Sequence, residues 1–302
     1  MTIKTPLILD GGLSNQLVAQ GVDLNHPLWT AIALLEQPDK VVAAHQAYLE
    51  AGADCVITSS YQVSVPGLMA YGLSAPQAIE AIKNTVTLAQ QAVSNYQTAT
   101  NDLHPKYVAA SVGPYGAYLA DGSEYFGHYD LSEADLMAFH TPRLNALIAA
   151  QPDIIACETI PCATEAKVLT RMLSGCDIPA WLSFSCKDSA HLCDGTPLAS
   201  IAEELSESNW WALGINCTAP QHITPLINIL KAHAPSKKIV IYPNSGQVYN
   251  AQSKEWTPCE SPPEFAEQIQ EWVNAGADII GGCCQINPDH IQAIANTLRK
   301  ES

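Results

Sequence analysis

Three cysteines carry the sharpest chemical signal in this sequence. Cys217 ends the apolar run Leu213-Gly214-Ile215-Asn216-Cys217, and the pair Cys283-Cys284 ends Ile279-Ile280-Gly281-Gly282-Cys283-Cys284. If both runs are strands whose C-terminal ends meet on one face, three thiolates can converge on one tetrahedral ion. The fourth position then stays open, which is the arrangement of a catalytic and not of a structural zinc. Successive strand side chains point to opposite faces, so Cys283 and Cys284 share an ion only where the chain turns. Gly281-Gly282 before the pair and Asn287-Pro288 after it allow that turn. The plainer alternative for a Cys in an apolar run is a small buried hydrophobe, and this is the reading for Cys55, Cys157 and Cys186. Cys176, Cys193 and Cys259 fall in loops and receive no role. A free thiol, with a pKa of ~8.5, is mostly protonated at neutral pH, whereas zinc deprotonates a thiol it coordinates. Three thiolates already overcompensate the ion's charge, so a fourth, substrate thiolate stays electron-rich. Such a centre activates water poorly and holds a reactive sulfur well, so thiol alkylation fits it better than hydrolysis.

Two carboxylates fall at corresponding places. Asp10-Gly11-Gly12 ends the first apolar run and Glu158 ends the fourth, in Cys157-Glu158-Thr159. A carboxylate can hold an ammonium, and the Gly11 and Gly12 backbone N–H groups can meet a carboxylate. Together they suit an amino acid. Asp10 could instead cap the following turn, and Glu158 could be a satisfied structural acid. Trp29, Tyr61, Tyr115, Tyr118 and Tyr125 are candidates to face a cationic group, with rim packing as the alternative for each. The nine His residues show no HExxH pair or other metal spacing.

The elements that must position these groups follow from a repeated joint. Ala51-Gly52-Ala53-Asp54 leads into Cys55-Val56-Ile57, and Ala275-Gly276-Ala277-Asp278 leads into Ile279-Ile280. In each, a helical pattern stops at a Gly suited to the left-handed conformation and an apolar run begins; Gln151-Pro152-Asp153 plays the same part before Ile154. Apolar runs at 7–9, 55–60, 107–112, 153–159, 180–186, 211–217, 238–243 and 278–284 predict strands. Amphipathic stretches near 38–51, 76–98, 132–150, 162–174, 197–207, 221–233, 263–275 and 288–299 predict helices, several opened by Ser, Asp or Pro caps. The runs are continuously apolar, as helix-covered parallel strands are. Eight such units predict an α/β fold, a (β/α)8 TIM barrel forming a single domain over 1–302, with a doubly wound open sheet as the alternative. The irregular stretch 113–131, rich in Gly and Tyr, is expected to be functional, and the Trp29 region is a second candidate cap.

Composition narrows the partners. Among 302 residues, 14 Lys+Arg stand against 30 Asp+Glu, a net charge of −16. This disfavours nucleic acid and anionic membranes, since no basic stripe displaces counterions. Neither a signal peptide nor a membrane span is visible. A cytoplasmic location is expected, where ten reduced cysteines favour metal or catalytic roles over disulfides.

At these residues the chain resembles the homocysteine S-methyltransferase family. It is similar to the branch using S-methylmethionine or S-adenosylmethionine, and more distantly to betaine–homocysteine methyltransferase. The resemblance runs from Asp10-Gly11-Gly12 to Gly281-Gly282-Cys283-Cys284. It takes in Thr58-Ser59-Ser60-Tyr61-Gln62, Ser111-Val112-Gly113-Pro114-Tyr115-Gly116, Asp121-Gly122-Ser123-Glu124-Tyr125, Glu158-Thr159, Gly214-Ile215-Asn216-Cys217 and Tyr242-Pro243-Asn244-Ser245-Gly246. It implies a barrel that methylates homocysteine to methionine, with Zn2+ held by Cys217, Cys283 and Cys284. Asp10 and Glu158 would engage the homocysteine amino group and Gly11 and Gly12 its carboxylate. Asn216, Trp29 and Tyr115 would be further substrate-binding residues, Trp29 on the donor side. The implied chemistry is in-line attack of a metal-held thiolate on a sulfonium methyl, releasing a neutral thioether without a general acid. Gln285 departs from the Arg often found after the cysteine pair, which bears on the donor and not on the metal. The extension through which betaine-using relatives assemble is missing, so a monomer or small homo-oligomer is expected. The rival readings are a metal-dependent hydrolase, a zinc-storing or redox-sensing barrel, and the same enzyme with betaine or a folate as donor.

Overall fold

The repeated joint is the device that builds this molecule. The computed structural model describes residues 6–26, 29–246, 249–250, 255–256 and 261–299. Strand β1 (Leu7–Ile8) is followed by α1 (Leu13–Ala19), α2 (Thr30–Glu36) and α3 (Pro38–Glu50), and β2 (Cys55–Ile57) by α4 (Val65–Ala70) and α5 (Ala75–Thr100). β3 (Tyr107–Val112) leads to α6 (Tyr115–Leu119) and α7 (Glu133–Ala149), and β4 (Ile154–Ile160) to α8 (Ala163–Leu173). Then come β5 (Ala180–Phe184), α9 (Leu198–Leu205), β6 (Ala212–Asn216), α10 (Ile223–His233) and β7 (Lys238–Tyr242). A short antiparallel pair, β8 (Tyr249–Asn250) and β9 (Glu255–Trp256), precedes α11 (Pro262–Ala275), β10 (Ile279–Ile280) and α12 (Pro288–Arg299).

The eight longer-range strands pair in the order β1-β10-β7-β6-β5-β4-β3-β2, each pair parallel. The ring closes between β1 and β2 through the Leu9–Cys55 bridge and the Asp10 N–H to Cys55 carbonyl bond of 3.1 Å. The expected barrel is therefore found, and the open sheet is not. Alternate residues divide the core in two. Leu7, Ala109, Ile154, Ala156, Trp181, Ala212 and Val240 fill the interior, while Ile8, Val108, Ile155, Leu182 and Leu213 meet the helices.

The joint has a double purpose. Gly52 (φ +107°) and Gly276 (φ +112°) take the left-handed conformation, and Gln151 (φ 55°) takes it at the third joint despite its Cβ. The Asp that follows then caps the neighbouring strand. Asp54 accepts from the Ile8 N–H at 3.2 Å, Asp153 from Val108 at 2.8 Å and Asp278 from Ile239 at 2.9 Å. These bonds register the bottom of the barrel and leave the opposite rim free for loops.

The stretch 113–131, read from sequence as irregular, contains α6 and a 3-10 turn at 123–125. The reading of Cys259 as a loop residue and that of the first five residues as free of a targeting signal lie outside the described residues. Among the described residues no helix is long and apolar enough to cross a membrane.

Candidate active site

The three cysteines meet at the C-terminal rim. By strand alternation Ala212 faces inward and Leu213 outward, so Cys217 would face the helices; its left-handed backbone (φ 46°) swings it to the cavity instead. On the other side a turn closes from the Ile286 N–H to the Cys283 carbonyl at 3.2 Å, with Gln285 at φ 65°. A Cβ on Gly282 would fall 2.2 Å from Ile286 Cγ2, so this turn is sterically reserved for glycine. The result is three sulfurs all within 4.8 Å of one another. Cys217 and Cys284 lie 3.6 Å apart and Cys283 and Cys284 3.9 Å apart, with Cys217 and Cys283 closer at 2.6 Å. Thiolates about 2.3 Å from one tetrahedral ion stand about 3.8 Å apart, which two of the three edges match. Electrostatics agrees with this fit. Hydrogen bonds from Cys217 and then Cys283 pull the Cys284 thiol well below its ordinary range, while its two neighbours are pushed up. One thiolate forms readily, but three require a cation among them.

The carboxylates are beside the sulfurs and buried. Asp10 accepts the Ile57 N–H at 2.8 Å through Oδ2, and its Oδ1 has no partner among the described residues. Glu158 accepts from the Ser111 hydroxyl, and the nearby Tyr242 hydroxyl favours its ionised form. Burial raises the acid of Asp10 well above the carboxylate range, opposed by the Ile57 bond and reinforced by Glu158. Burial likewise lifts Glu158 to about 7. A cavity of about 500 Å³ opens onto both, lined also by Trp29, Tyr61, Tyr125, Glu124 and the three cysteines. Among the described residues no Lys or Arg lines it, so neither acid meets a described Lys or Arg there. Trp29 and Tyr61 meet edge-on with ring centroids 6.5 Å apart, and the Tyr125 hydroxyl stands 4.0 Å from Cys217 Sγ.

Other residues expected at the site are placed differently. Tyr115 does not line the cavity; its ring packs on Tyr118, Tyr129 and Phe139, so both Tyr115 and Tyr118 belong to the support of the cap. Asn216 is fully buried behind the cavity wall. Its Oδ1 accepts the Thr159 N–H at 2.7 Å and its Nδ2 donates to Thr159 Oγ1 at 2.7 Å. That clamp holds a bulge, because the β4–β5 register shifts between Cys157 and Ile160 and Thr159 is left-handed at φ 59°. Asn216 thereby aims Glu158 without touching the cavity. Gly12 lines the cavity, but its N–H is taken by the Ile286 carbonyl at 2.9 Å; only the Gly11 N–H lacks an acceptor among the described residues. Nothing in the sequence singles out Ser111 and Tyr242 for a role. Trp181 Nε1 donates to the Tyr242 hydroxyl at 3.1 Å and Ser183 pairs with it at 2.6 Å, which ties Glu158 to the barrel core. No periodicity marks such a tie.

Residues 7–298 match the sequence model of the family described as Homocysteine S-methyltransferase. The chain is 46% identical over 300 residues to the Homocysteine S-methyltransferase YbgG of Bacillus subtilis (strain 168), covering 97% of this chain and 94% of that one. It is 41% identical over 304 residues to Homocysteine S-methyltransferase 1 of Zea mays, covering 97% and 94%. Among solved structures it is similar to the metallated form of the homocysteine methyltransferase MmuM from Escherichia coli. The TM-score is 0.86 at 40% identity, over 96% of this chain and 95% of that one.

Proposed function

This chain belongs to the homocysteine S-methyltransferase family, and from that premise we propose that it is a zinc enzyme that moves a methyl group from a sulfonium donor, S-methylmethionine or S-adenosylmethionine, to the thiol of L-homocysteine. The observation that carries this reading is the joint placement of three converging thiols and two buried carboxylates, neither paired with a described Lys or Arg, in one cavity. Cys217, Cys283 and Cys284 would hold the ion, all-sulfur tetrahedral donor sets being suited to zinc. When bound, zinc keeps a substrate thiol ionised at neutral pH.

The remaining chemistry falls to the protein's own residues. Asp10 and Glu158 take the homocysteine ammonium, which replaces their missing counter-charge and makes both carboxylates the stable forms. The Gly11 N–H meets the substrate carboxylate, Gly12 being committed to Ile286. These contacts fix the amino-acid end, so that the thiol side chain reaches toward the cysteines. Trp29, Tyr61 and Tyr125 form an electron-rich wall for a sulfonium. As the new C–S bond forms, the donor's C–S bond breaks and its electron pair returns to sulfur. The leaving group is a neutral thioether, and nothing needs to protonate it. Catalysis then rests on alignment of sulfur, methyl and sulfur, and no His is required. Nine described cysteines are free, which fits a reducing compartment such as the cytoplasm.

The test is direct. Purified protein is assayed for zinc and supplied with homocysteine and, in turn, S-methylmethionine, S-adenosylmethionine and betaine. Methionine formed from a sulfonium donor at one zinc per chain is the expected result, with Cys217→Ser losing zinc and activity together while the fold persists. Activity retained in metal-free protein, or transfer from betaine alone, overturns the reading.

A further inference from the structure

Among the described residues three carboxylates line the cavity, and two of them, Asp10 and Glu158, are matched to the acceptor's ammonium. The third, Glu124, lies on the 3-10 turn at 123–125, which follows a left-handed Gly122 (φ 87°). The turn is fastened to the barrel, its Glu124 carbonyl accepting the Ser185 hydroxyl at 3.3 Å. The next residue, Tyr125, brings its hydroxyl to 4.0 Å from Cys217, so the turn lies over the sulfurs. Glu124 is within electrostatic reach of Cys284 and of Tyr61, both cavity residues. Its Oε2 is buried and has no hydrogen-bond partner among the described residues. A carboxylate oxygen so placed accepts from an N–H or O–H donor, and among the described lining residues there is no Lys or Arg to supply one.

The chemistry of the missing donor can be narrowed. The acceptor's ammonium is already matched by Asp10 and Glu158. A sulfonium or quaternary ammonium carries charge but no N–H, and the aromatic rings suffice for it. An α-ammonium carries three N–H donors. We infer that Glu124 recognises the α-ammonium of the methyl donor, and so makes the cavity selective for amino-acid sulfonium compounds over onium donors that bear a carboxylate and no N–H. Betaine is of the second kind, and its carboxylate would face Glu124 with like charge. This assignment rests on the sulfonium reading given above and names the residue that sets its donor class.

Glu124→Gln, isosteric and uncharged, provides the test. The donors are S-methylmethionine and its deaminated counterpart, in which hydrogen replaces the ammonium, with homocysteine as acceptor throughout. For S-methylmethionine kcat/KM falls roughly 10- to 150-fold, the range for a lost charge-assisted hydrogen bond, while homocysteine KM and zinc content stay as in the parent. The deaminated donor already lacks the contact, so parent and variant transfer from it with the same reduced efficiency. Calorimetric titration of zinc-free protein with S-methylmethionine gives the same loss without any turnover. Equal losses with both donors, or no loss with S-methylmethionine, overturn the role of Glu124. A parent enzyme that uses betaine and no sulfonium overturns the functional reading itself, and the two failures are thereby told apart.

Discussion

Replacing Glu158 by Gln separates binding from stability in opposite directions. The amide is isosteric, and its oxygen can still accept from Ser111, the hydroxyl that holds the carboxylate. What disappears is a buried negative charge facing a second buried acid, Asp10. Burial lifts Glu158 to about 7 from an ordinary value near 4.5. An acid raised on folding binds its proton more tightly in the native state, so its ionisation destabilises the fold as pH rises from about 4.5 through 7. At about 1.4 kcal/mol per tenfold change, that difference costs the native state about 3 kcal/mol above pH 7. A chain of this length has an unfolding entropy of about 0.6 kcal/mol per kelvin, so Glu158→Gln raises Tm by roughly 5 °C at pH 8.

The same change weakens the substrate. Loss of a charge-assisted hydrogen bond to the ammonium costs about 1.5–3 kcal/mol, which is roughly 10- to 150-fold in kcat/KM for homocysteine. In the parent protein, L-methionine binding, which keeps the ammonium but not the thiol, weakens roughly fivefold between pH 7 and pH 6 as Glu158 takes up its proton. In the variant that step is missing. The assays are calorimetric titration and thermal unfolding of zinc-free, reduced protein, with turnover measured after zinc is restored. An unchanged kcat/KM refutes the ammonium role. A lower Tm accompanying the lost activity makes Glu158 a structural acid and refutes the electrostatic reasoning.

Three further outcomes follow from the geometry. Gly282→Ala places a Cβ 2.2 Å from Ile286 Cγ2; the expected overpacking of about 1–3 kcal/mol lowers Tm by roughly 2–5 °C and reduces zinc retention, read by metal analysis after dialysis. Gln151→Gly relieves a left-handed non-glycine residue (φ 55°) and stabilises by about 1 kcal/mol, seen as a higher urea midpoint with unchanged turnover; a lower midpoint contradicts the strain argument. His45 is fully buried with both ring nitrogens unpartnered among the described residues, and burial lowers its pKa to about 4. The unfolded chain therefore binds a proton that the native state does not as pH falls from about 6.5 to 4. Stability drops by about 3 kcal/mol over that window, and His45→Leu flattens this limb of the pH–urea profile.

The barrel was legible because its signals are periodic and local. Continuous apolar runs, caps and the Gly-Ala-Asp joint located eight strands and eight helices to within a few residues, and β3 was read with the limits it has, Tyr107–Val112. Four short helices were not foreseen: α1, α2, α4 and α6 sit in the loops above β1, β2 and β3. They are five to seven residues long, too short for a hydrophobic stripe to emerge, and packing against the rim determines them. Tyr115 shows the same limit at the level of one residue. An aromatic in a Gly-rich loop can face either the cavity or its own loop, and α6 turns this one toward Tyr129 and Phe139. The commitment of the Gly12 N–H is invisible in the sequence because its acceptor, the Ile286 carbonyl, is distant along the chain and belongs to the turn that presents the cysteines.

The site itself depends on breaking the periodicity that made the fold readable. Alternation along β6 directs position 217 outward, and alternation along β10 would send Cys283 and Cys284 to opposite faces. Left-handed residues at Cys217 and Gln285 undo both assignments, and Thr159 in the same conformation sits in the bulge beside Glu158, where β4 slips its register. A fourth, Trp29, stands across the cavity at φ 45°. With Ala120 (φ 54°), which also lines the cavity, five of the seven described non-glycine residues with positive φ are at this rim, and each costs about 1–3 kcal/mol unless its surroundings hold it. The supports are visible: the Asn216 amide on Thr159, the Tyr242 carbonyl on the Cys217 N–H, and Asn15 Oδ1 on the Gln285 N–H. Strain concentrated where sulfur and carboxylate must converge, and held by groups that touch no substrate, is what a preorganised site requires. It also explains why Asn216, which does not line the cavity, belongs to the same motif as the cysteine it precedes.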